Sequence, residues 1–253
     1  MDAATRREIA LDLLQKQGEV SVSKLSERTG VTLMTIRRDL EILERDGALR
    51  RVHGGAVSVA SRGYAPPYCV REEREVDAKE RIGRMAASML RDGESIVLDV
   101  GSTAMAVARA LRGRRDLTVI TSGLQIANAL ARESGIRLMI TGGTVTPGEL
   151  SLVGDLAEDA FSRLRFDTIV MGAAGIEAEA GCTEFNFEDA RIKRAALTTV
   201  RRRIVVASAS KLGVVKVALI CSLDQVDVVI TDAKALPEQV AALEAADVEV
   251  VVV

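Results

Sequence analysis

The sequence of 253 residues has no tryptophan, a single histidine and three cysteines. A histidine-rich metal site or a Ser-His-Asp triad would depend on His53 alone, so we predict no metal, no cofactor and no catalytic centre. Cys69, Cys182 and Cys221 lie far apart without ligand spacing and are interpreted as small buried or bystander thiols. No apolar run approaches the ~20 residues that span a bilayer, and residues 1–9 are charged where a signal peptide would be apolar. We therefore expect no membrane contact and a cytoplasmic protein.

An excess of charge of one sign is also lacking, because 34 Lys and Arg face 36 Asp and Glu. This balance gives no global basic field that would attract nucleic acid, so a DNA-binding surface would have to be local. Aromatic residues make up only 2% of the chain. The apolar residues are mainly Ala, Val, Leu and Ile, which suit helices packed on a buried sheet.

Helix and strand patterns divide the chain into three parts. Residues 1–57 contain three short helical patterns, and residues 49–57 are typical of a β-hairpin wing that turns at Gly54-Gly55. Residues 58–76, with two prolines and a charge run, indicate a linker. Residues 77–253 alternate helix and strand, which predicts βαβ units. The expected fold class is α/β, with a small N-terminal helical domain and a larger domain with a mostly parallel sheet.

The third helical pattern, from Thr32 to Asp46, has the features of a DNA-reading helix. On a helical wheel its core face holds Leu33, Ile36, Leu40 and Leu43, its opposite face holds Met34 and Arg38, and Thr35 and Arg37 lie on the flanks. A helix-turn-helix reads base edges with the N-terminal residues of its second helix, and arginine bonds guanine there. An ordinary amphipathic helix with a solvated basic face is the alternative, and composition alone favours it.

The sequence of the third helical pattern and of the wing resembles that of a known family. The stretch from Val31 to Leu40, followed by Leu43, Gly47, Arg51 and His53-Gly54-Gly55-Ala56, resembles the winged helix-turn-helix of the DeoR/GlpR family of bacterial regulators. The resemblance implies a repressor of sugar or carbon-metabolism genes that binds double-stranded operator DNA as a homodimer or homotetramer. It also implies that Asp39 is structural and pairs with a nearby arginine. The predicted DNA-binding residues, of which the last three lie in the wing and would contact phosphates, are Ser21, Thr32, Met34, Thr35, Arg37, Arg38, Arg50, Arg51 and His53.

Glycine-bearing or polar turns follow four strand patterns of the larger domain. Ligands of open α/β sheets bind at the carboxyl ends of strands, and backbone N–H groups at a helix start can hold an anion. These turns are therefore consistent with a phosphorylated small molecule, although ordinary turn chemistry explains each of them taken singly. The predicted effector-binding residues are Asp99, Gly101, Ser102, Thr103, Thr141, Gly142, Gly143, Ala173, Gly175 and Lys211.

Residues 78–232 resemble the sensor domain of the same family, whose fold is similar to ribose-5-phosphate isomerase. The resemblance implies that the turn of residues 101–103 holds the phosphate, with residues 141–143 nearby. It makes Lys211 a cationic partner, and Asp99 a group that binds a sugar hydroxyl or orients the loop. The family commonly has acids where this chain has Ala174 and Ser208.

Because these two acids are absent, the effector stays open, and a DNA-binding regulator without an effector is one alternative. A phosphosugar isomerase-like enzyme is the other alternative, although the missing carboxylate at Ala174 removes its most natural general base. Glu184 and Glu188 could replace the missing acceptors, but a solvated helix start is the preferred interpretation of both.

Overall fold

The structure, a computed structural model, describes residues 1–17, 19–45, 48–57 and 68–253. The chain forms two compact units, Met1–Arg74 and Glu75–Val253. The predicted start of the larger domain, residue 77, lies close to this boundary. Within the described residues, no helix is long and apolar enough to cross a membrane.

The N-terminal unit is built from helices and a three-stranded antiparallel sheet. Its elements are α1 (Ala3–Gln17), β1 (Glu19–Ser21), α2 (Val22–Thr29), α3 (Leu33–Arg45), β2 (Arg50–Val52), β3 (Gly55–Val57) and α4 (Tyr68–Glu73). The strands are ordered β1-β3-β2. The hairpin turns at His53-Gly54, one residue before the predicted turn, because Gly54 adopts a φ of +81°. Gly55 is required for a different reason, since a Cβ there would lie 2.0 Å from the Val20 carbonyl oxygen.

One face of α3 packs into the core of this unit, through Ile36, Leu40 and Leu43. The prediction that Leu33 joins this face is wrong, because its side chain is 46% exposed. Leu33 occupies the first turn of α3, which extends beyond the core, and the neighbouring Met34 is exposed as well.

The predicted linker is only partly described. Residues 58–67 lie outside the described residues. The prediction is wrong for residues 68–76, which form α4 and the start of the next helix. Tyr68 is buried and Val70 packs against the N-terminal core, so this stretch has an apolar face that holds it in place.

The C-terminal unit alternates helices and strands along most of its length. Its helices are α5 (Val76–Ser88), α6 (Ser102–Ala110), α7 (Leu124–Leu130), α8 (Asp155–Ser162), α9 (Phe187–Leu197) and α10 (Pro237–Glu244). Its strands are β4 (Ser95–Leu98), β5 (Leu117–Thr121), β6 (Ile136–Ile140), β7 (Thr144–Val145), β8 (Leu152–Val153), β9 (Phe166–Gly172), β10 (Gly175–Glu177), β11 (Gly181–Glu184), β12 (Val200–Val206), β13 (Ala218–Cys221), β14 (Val228–Thr231) and β15 (Glu249–Val252). Two short 3-10 helices span Ala209–Lys211 and Leu223–Gln225.

Seven strands form a parallel sheet with the order β15-β14-β12-β9-β4-β5-β6. The chain builds outward from β4 to β5 and β6, and then continues on the other side of β4 with β9. The sheet therefore has a topological switch point between β4 and β9, where open α/β sheets bind their ligands. The predicted α/β class with a largely parallel sheet is confirmed.

Two smaller antiparallel sheets were not predicted. One is the β7–β8 hairpin and the other has the order β10-β11-β13. Their strands are two to four residues long, which is too short for hydrophobic alternation to be visible in the sequence. Cys182 and Cys221 are partners across β11 and β13, and both are buried free thiols, whereas Cys69 is exposed.

Helices α5 and α6 are in unusually close contact. A Cβ atom on Gly83 of α5 would lie 2.6 Å from the carbonyl carbon and 2.7 Å from the carbonyl oxygen of Ala106 in α6. Only glycine therefore allows the two backbones to meet at this point.

Candidate DNA-reading helix and effector site

The first half of α3 presents basic side chains to solvent. Arg37 and Arg38 are exposed, and neither guanidinium has an ion pair or hydrogen bond within the described part of the chain. Met34 beside them is 70% exposed. The Thr32 hydroxyl accepts a hydrogen bond from the backbone N–H of Thr35 at 3.3 Å, and so it caps the helix start. The N-terminal end of α3, which would enter a major groove, therefore carries two arginines that make no ion pair or side-chain hydrogen bond within the described residues.

An ion pair fixes the opposite side of α3. Arg6 of α1 donates from Nε to Asp39 Oδ2 at 2.8 Å, and both side chains are largely buried. The expectation that Asp39 pairs with an arginine is confirmed. The pair joins α1 to α3 and so helps to set the direction of the exposed face.

Two other predicted DNA-binding residues, Ser21 and Arg51, have partners within the N-terminal unit. The Ser21 hydroxyl caps α2 by accepting from the N–H of Lys24 at 3.1 Å. Arg51 donates from Nε to Glu44 at 2.6 Å, and this contact lowers the pKa of Glu44. His53 is exposed at the hairpin turn. Arg50 lies in β2, and its side chain is outside the described residues.

A buried ion cluster lies at the switch point of the C-terminal unit. The Lys193 ammonium on α9 contacts Asp99 Oδ2 at 2.7 Å and Glu184 Oε2 at 2.8 Å, and it donates to the Gly172 carbonyl at 2.8 Å. The Gly172 N–H in turn donates to Asp99 Oδ2 at 2.9 Å. These bonds join the ends of β4, β9 and β11.

The cluster keeps the lysine charged despite its burial. Burial alone would lower the pKa of Lys193, but the carboxylates of Asp99 and Glu184 outweigh this effect and raise it. Burial raises the pKa of Asp99, and the ammonium counters that rise. All three ammonium protons of Lys193 have acceptors, so the lysine positions Asp99 and Glu184 instead of reaching a ligand itself. The interpretation of Glu184 as a solvated helix start is wrong, because it is buried in β11, whereas Glu188 is exposed.

The turn after Asp99 leads into α6. Gly101 has a φ of +105°, and the start of α6 has no side-chain cap. The first N–H groups of a helix lack intrahelical partners and attract anions. Ser102 is buried and Thr103 is half-buried, so the turn offers backbone donors beside one accessible hydroxyl.

Two lysines lie near the Phe185 ring, next to Glu184. Lys211 Nζ is 5.9 Å and Lys216 Nζ is 5.1 Å from the ring centre. Burial lowers the pKa of Lys216, which makes no ion pair within the described residues. A bound anion would offset this desolvation. Lys216 is therefore a candidate ligand group that the sequence did not indicate, since it follows no predicted strand.

The remaining predicted effector residues fall into two groups. Thr141 is buried and donates to the Gly142 carbonyl, while Gly142 and Gly143 are exposed at the end of β6. Ala173 is half-buried after β9. Gly175 has a structural reason to be glycine, because a Cβ there would lie 2.2 Å from the Val214 carbonyl oxygen.

A carboxylate lies beside Ser208, one of the two positions where the family that the sequence resembles commonly has an acid. The Ser208 hydroxyl donates to Glu75 Oε2 at 2.6 Å, and the Ser210 hydroxyl donates to the same oxygen at 3.2 Å. Glu75 comes from the start of α5, far away in sequence. At the other position Ala174 is buried.

The sequence contained one usable signal for the missed lysine. The buried face of α9 consists of Asp189, Ala190, Ile192, Lys193, Ala196 and Leu197. These positions follow the helical period, so a wheel places Asp189 and Lys193 one turn apart on the apolar face. Asp189 is fixed there by the Ser151 hydroxyl at 2.8 Å. Within the described residues, no three His, Cys, Asp or Glu side chains could together hold a metal ion.

A winged helical unit with exposed arginines, followed by a parallel α/β unit with polar turns at its carboxyl edge, defines a class of DNA-binding regulators with a separate sensor domain. Residues 6–62 match the family model of the DeoR-like helix-turn-helix domain. Residues 74–233 match that of the DeoR C terminal sensor domain. The chain belongs to the DeoR family of transcriptional regulators.

Two curated relatives match both units. The HTH-type transcriptional regulator GolR of Listeria innocua is 34% identical over 229 residues, which is 90% of each chain. The glycerol-3-phosphate regulon repressor of Escherichia coli is 32% identical over 233 residues, 92% of each chain. Among solved structures, ribose 5-phosphate isomerase A of Methanocaldococcus jannaschii covers 54% of this chain and 54% of its own with a TM-score of 0.41 and 17% identity. This partial likeness carries no argument about function.

Proposed function

We propose that the protein is a transcriptional repressor of sugar or carbon-metabolism genes, whose binding to operator DNA is weakened by a phosphorylated polyhydroxy effector. The observation that carries the proposal is the exposed start of α3, where Arg37 and Arg38 have no protein partner within the described chain. Arginines at this end of a recognition helix bond guanine in the major groove. The relative in Escherichia coli is named a repressor of the glycerol-3-phosphate regulon, which supports the direction of regulation.

The DNA-binding part is tested by an electrophoretic shift with the DNA upstream of the protein's own gene. Arg38→Ala is expected to weaken specific binding by ~1–3 kcal/mol if the side chain contacts a base. Arg112→Ala, an exposed arginine of the C-terminal unit, is the matched control for loss of a surface charge. Unchanged affinity of Arg38→Ala would remove the role assigned to α3.

The effector part rests on the carboxyl edge of the parallel sheet. The uncapped start of α6 provides anion donors, and the partly desolvated Lys216 provides a cation. Asp99 and Glu184 are held in place by Lys193 beside this edge. A ligand would use both kinds of group if its phosphate bound the α6 N–H groups and Lys216 while its hydroxyls donated to the carboxylates of Asp99 and Glu184.

A thermal-shift screen tests the effector part with glycerol 3-phosphate, ribose 5-phosphate and fructose 1-phosphate. The unphosphorylated compounds and inorganic phosphate serve as controls. A ligand at ~100 times its Kd adds about 2.7 kcal/mol of stability. Lys216→Met is expected to reduce the shift, whereas Lys234→Met, at an exposed lysine, should leave it unchanged. A flat screen would favour a regulator without an effector.

A catalytic role has less support. An isomerase needs a free general base beside the substrate carbon, but Asp99 and Glu184 are both bound to Lys193. Turnover of these sugar phosphates by the purified protein would contradict this argument.

The oligomeric state is proposed to be a homodimer or homotetramer, because paired recognition helices match half-sites about 34 Å apart on the duplex. Analytical ultracentrifugation tests this directly, and a monomer at micromolar concentration would contradict it. A cytoplasmic location follows from the proposed role, since operator DNA is found there.

A further inference from the structure

Glu75 occupies an unusual position in the chain. It is the first residue of the C-terminal unit and directly follows Arg74, the last residue of the DNA-binding unit. Its backbone is left-handed, with φ 51° and ψ 38°, where a residue with a Cβ atom is strained. Its carbonyl accepts the N–H of Lys79 at 2.9 Å and so begins α5. A strained residue at this point requires contacts that hold it.

The contacts that hold Glu75 come from the edge of the sheet where the effector is proposed to bind. Both the Ser208 and the Ser210 hydroxyls donate to one oxygen of its carboxylate. Ser208 is buried at the end of β12, and its hydroxyl lies 3.0 Å from that of Ser210. The next residue is Lys211, a predicted effector-binding group.

The turn that carries Lys211 is held from a second side. Asp232, buried after β14, accepts the N–H of Ala209 at 2.8 Å. The backbone of the turn is therefore held by Asp232, whereas the Ser208 and Ser210 hydroxyls are held by Glu75. A ligand that offers acceptors to these hydroxyls, or hydroxyls to the Glu75 carboxylate, competes directly with the bonds that hold Glu75.

We infer that Glu75 is the residue through which effector occupancy reaches the DNA-binding unit, and that it is itself an acceptor for the hydroxyl groups of a polyhydroxy phosphate. This inference rests on the proposed function. When a ligand takes the Ser208 and Ser210 hydroxyls or the Glu75 carboxylate, the left-handed start of α5 loses its support. The junction between Arg74 and Glu75 then changes conformation. An effector shifts the equilibrium only if it binds the two arrangements with different affinity, and this competition provides the difference.

The experiment disrupts the contacts of Glu75 with a substituted acidic side chain in place of a bound ligand, so it can be done without knowing the effector. In the full-length protein, Ser208→Asp places a second carboxylate against Glu75, and like charges at this distance repel. The Lys79 amide, which donates to Glu75, is expected to exchange with deuterium about tenfold faster, and the first turn of α5 with it. Operator affinity is expected to fall by about fivefold or more, the usual lower range of coupling between sites.

Further variants distinguish loss of the anchor, by which we mean the Glu75 carboxylate bound by the Ser208 and Ser210 hydroxyls, from general destabilisation of the fold. Adding Glu75→Gln to Ser208→Asp should restore slow exchange, because the Gln amide can donate to the new carboxylate. Ser210→Asp, at an exposed position, should act in the same direction with a smaller effect if the buried variant does not fold. Thr144→Asp adds the same charge at an exposed site away from Glu75 and should change neither readout.

The outcomes distinguish the inference from the proposed function. Exchange at Lys79 that stays at the parent rate in both serine variants, or that Glu75→Gln does not restore, would overturn the role of Glu75. Accelerated exchange with unchanged operator affinity would also overturn it, since the anchor would then not reach the DNA-binding unit. If the unmodified protein does not bind its upstream DNA, the proposed function fails, while the exchange result still decides whether Glu75 is an anchor.

Discussion

Replacing Lys193 with methionine tests the buried ion cluster most directly. Methionine has a similar length and no charge, so the change removes the ammonium and leaves the carboxylates of Asp99 and Glu184 without it. Both lie within 2.8 Å of the lost nitrogen and are almost fully buried. Removing one partner from a buried ion pair costs about 3–5 kcal/mol. That is a large share of the ~5–15 kcal/mol that stabilises a typical protein.

The stability lost in the Lys193→Met variant is expected to depend on pH, and the direction of this dependence follows from the pKa values of the buried carboxyls. Burial already raises the pKa of Asp99 in the parent. Without the ammonium, the folded-state pKa of Asp99 rises further above its unfolded value of ~4, and burial acts in the same direction on Glu184. The folded state then binds more protons than the unfolded state, so stability falls as pH rises through the window between the two values. In the parent the raised pKa of Lys193 keeps its contribution present at every pH below ~10.4. We therefore expect the difference between variant and parent to be larger at about pH 8 than at about pH 5, by ~1.4 kcal/mol for each proton and pH unit.

Urea unfolding followed by circular dichroism at both pH values measures this difference. Lys234→Met removes a charge from an exposed lysine and should show no such dependence. Adding Asp99→Asn and Glu184→Gln to Lys193→Met removes the buried charges and should abolish the pH dependence. A loss below ~1 kcal/mol at the higher pH, far under the range for a broken buried pair, would refute the reasoning. A loss equal at both pH values would refute it as well.

Two further predictions follow from packing. Gly83→Ala is expected to lower the free energy of unfolding by ~1–3 kcal/mol, because the new methyl group would overlap the backbone of Ala106. Arg84→Ala, at the neighbouring exposed site, should change it by no more than ~0.5 kcal/mol. If urea titrations gave the same free energy of unfolding for both variants, the close helix contact would be contradicted. Leu33→Gln should change stability by less than ~0.5 kcal/mol because Leu33 is half-exposed, whereas Ile36→Ala should cost about 2–5 kcal/mol. A loss at Leu33 comparable to that at Ile36 would show that Leu33 is a core residue after all.

Patterns that extend over many residues could be predicted from the sequence. The core face of α3 and the alternation of strands and helices depend on many apolar residues, so one exception such as Leu33 does not obscure them. The pairing of Asp39 was also expected, although its partner Arg6 lies 33 residues away and no local pattern identifies it. The two short antiparallel sheets were missed because strands of two to four residues contain no complete period.

The candidate effector site was predicted where backbone turns define it and missed where distant side chains complete it. The turns after β4 and β6 are visible as glycine-bearing segments. Lys193, Lys216 and Glu75 reach the same edge from helix α9, from a loop and from the start of α5. Their positions depend on tertiary packing. The helical period of α9 could have identified Lys193, but no local signal identifies Glu75.

The contact at Gly83 has a mechanical consequence. Helices α5 and α6 touch backbone to backbone there, without intervening side chains that could rearrange and absorb a displacement. One of these helices begins at the candidate phosphate turn and the other begins directly after Glu75. A displacement of α6 at Ala106 would therefore have to displace α5 at Gly83, because the two backbones cannot yield there as side chains do.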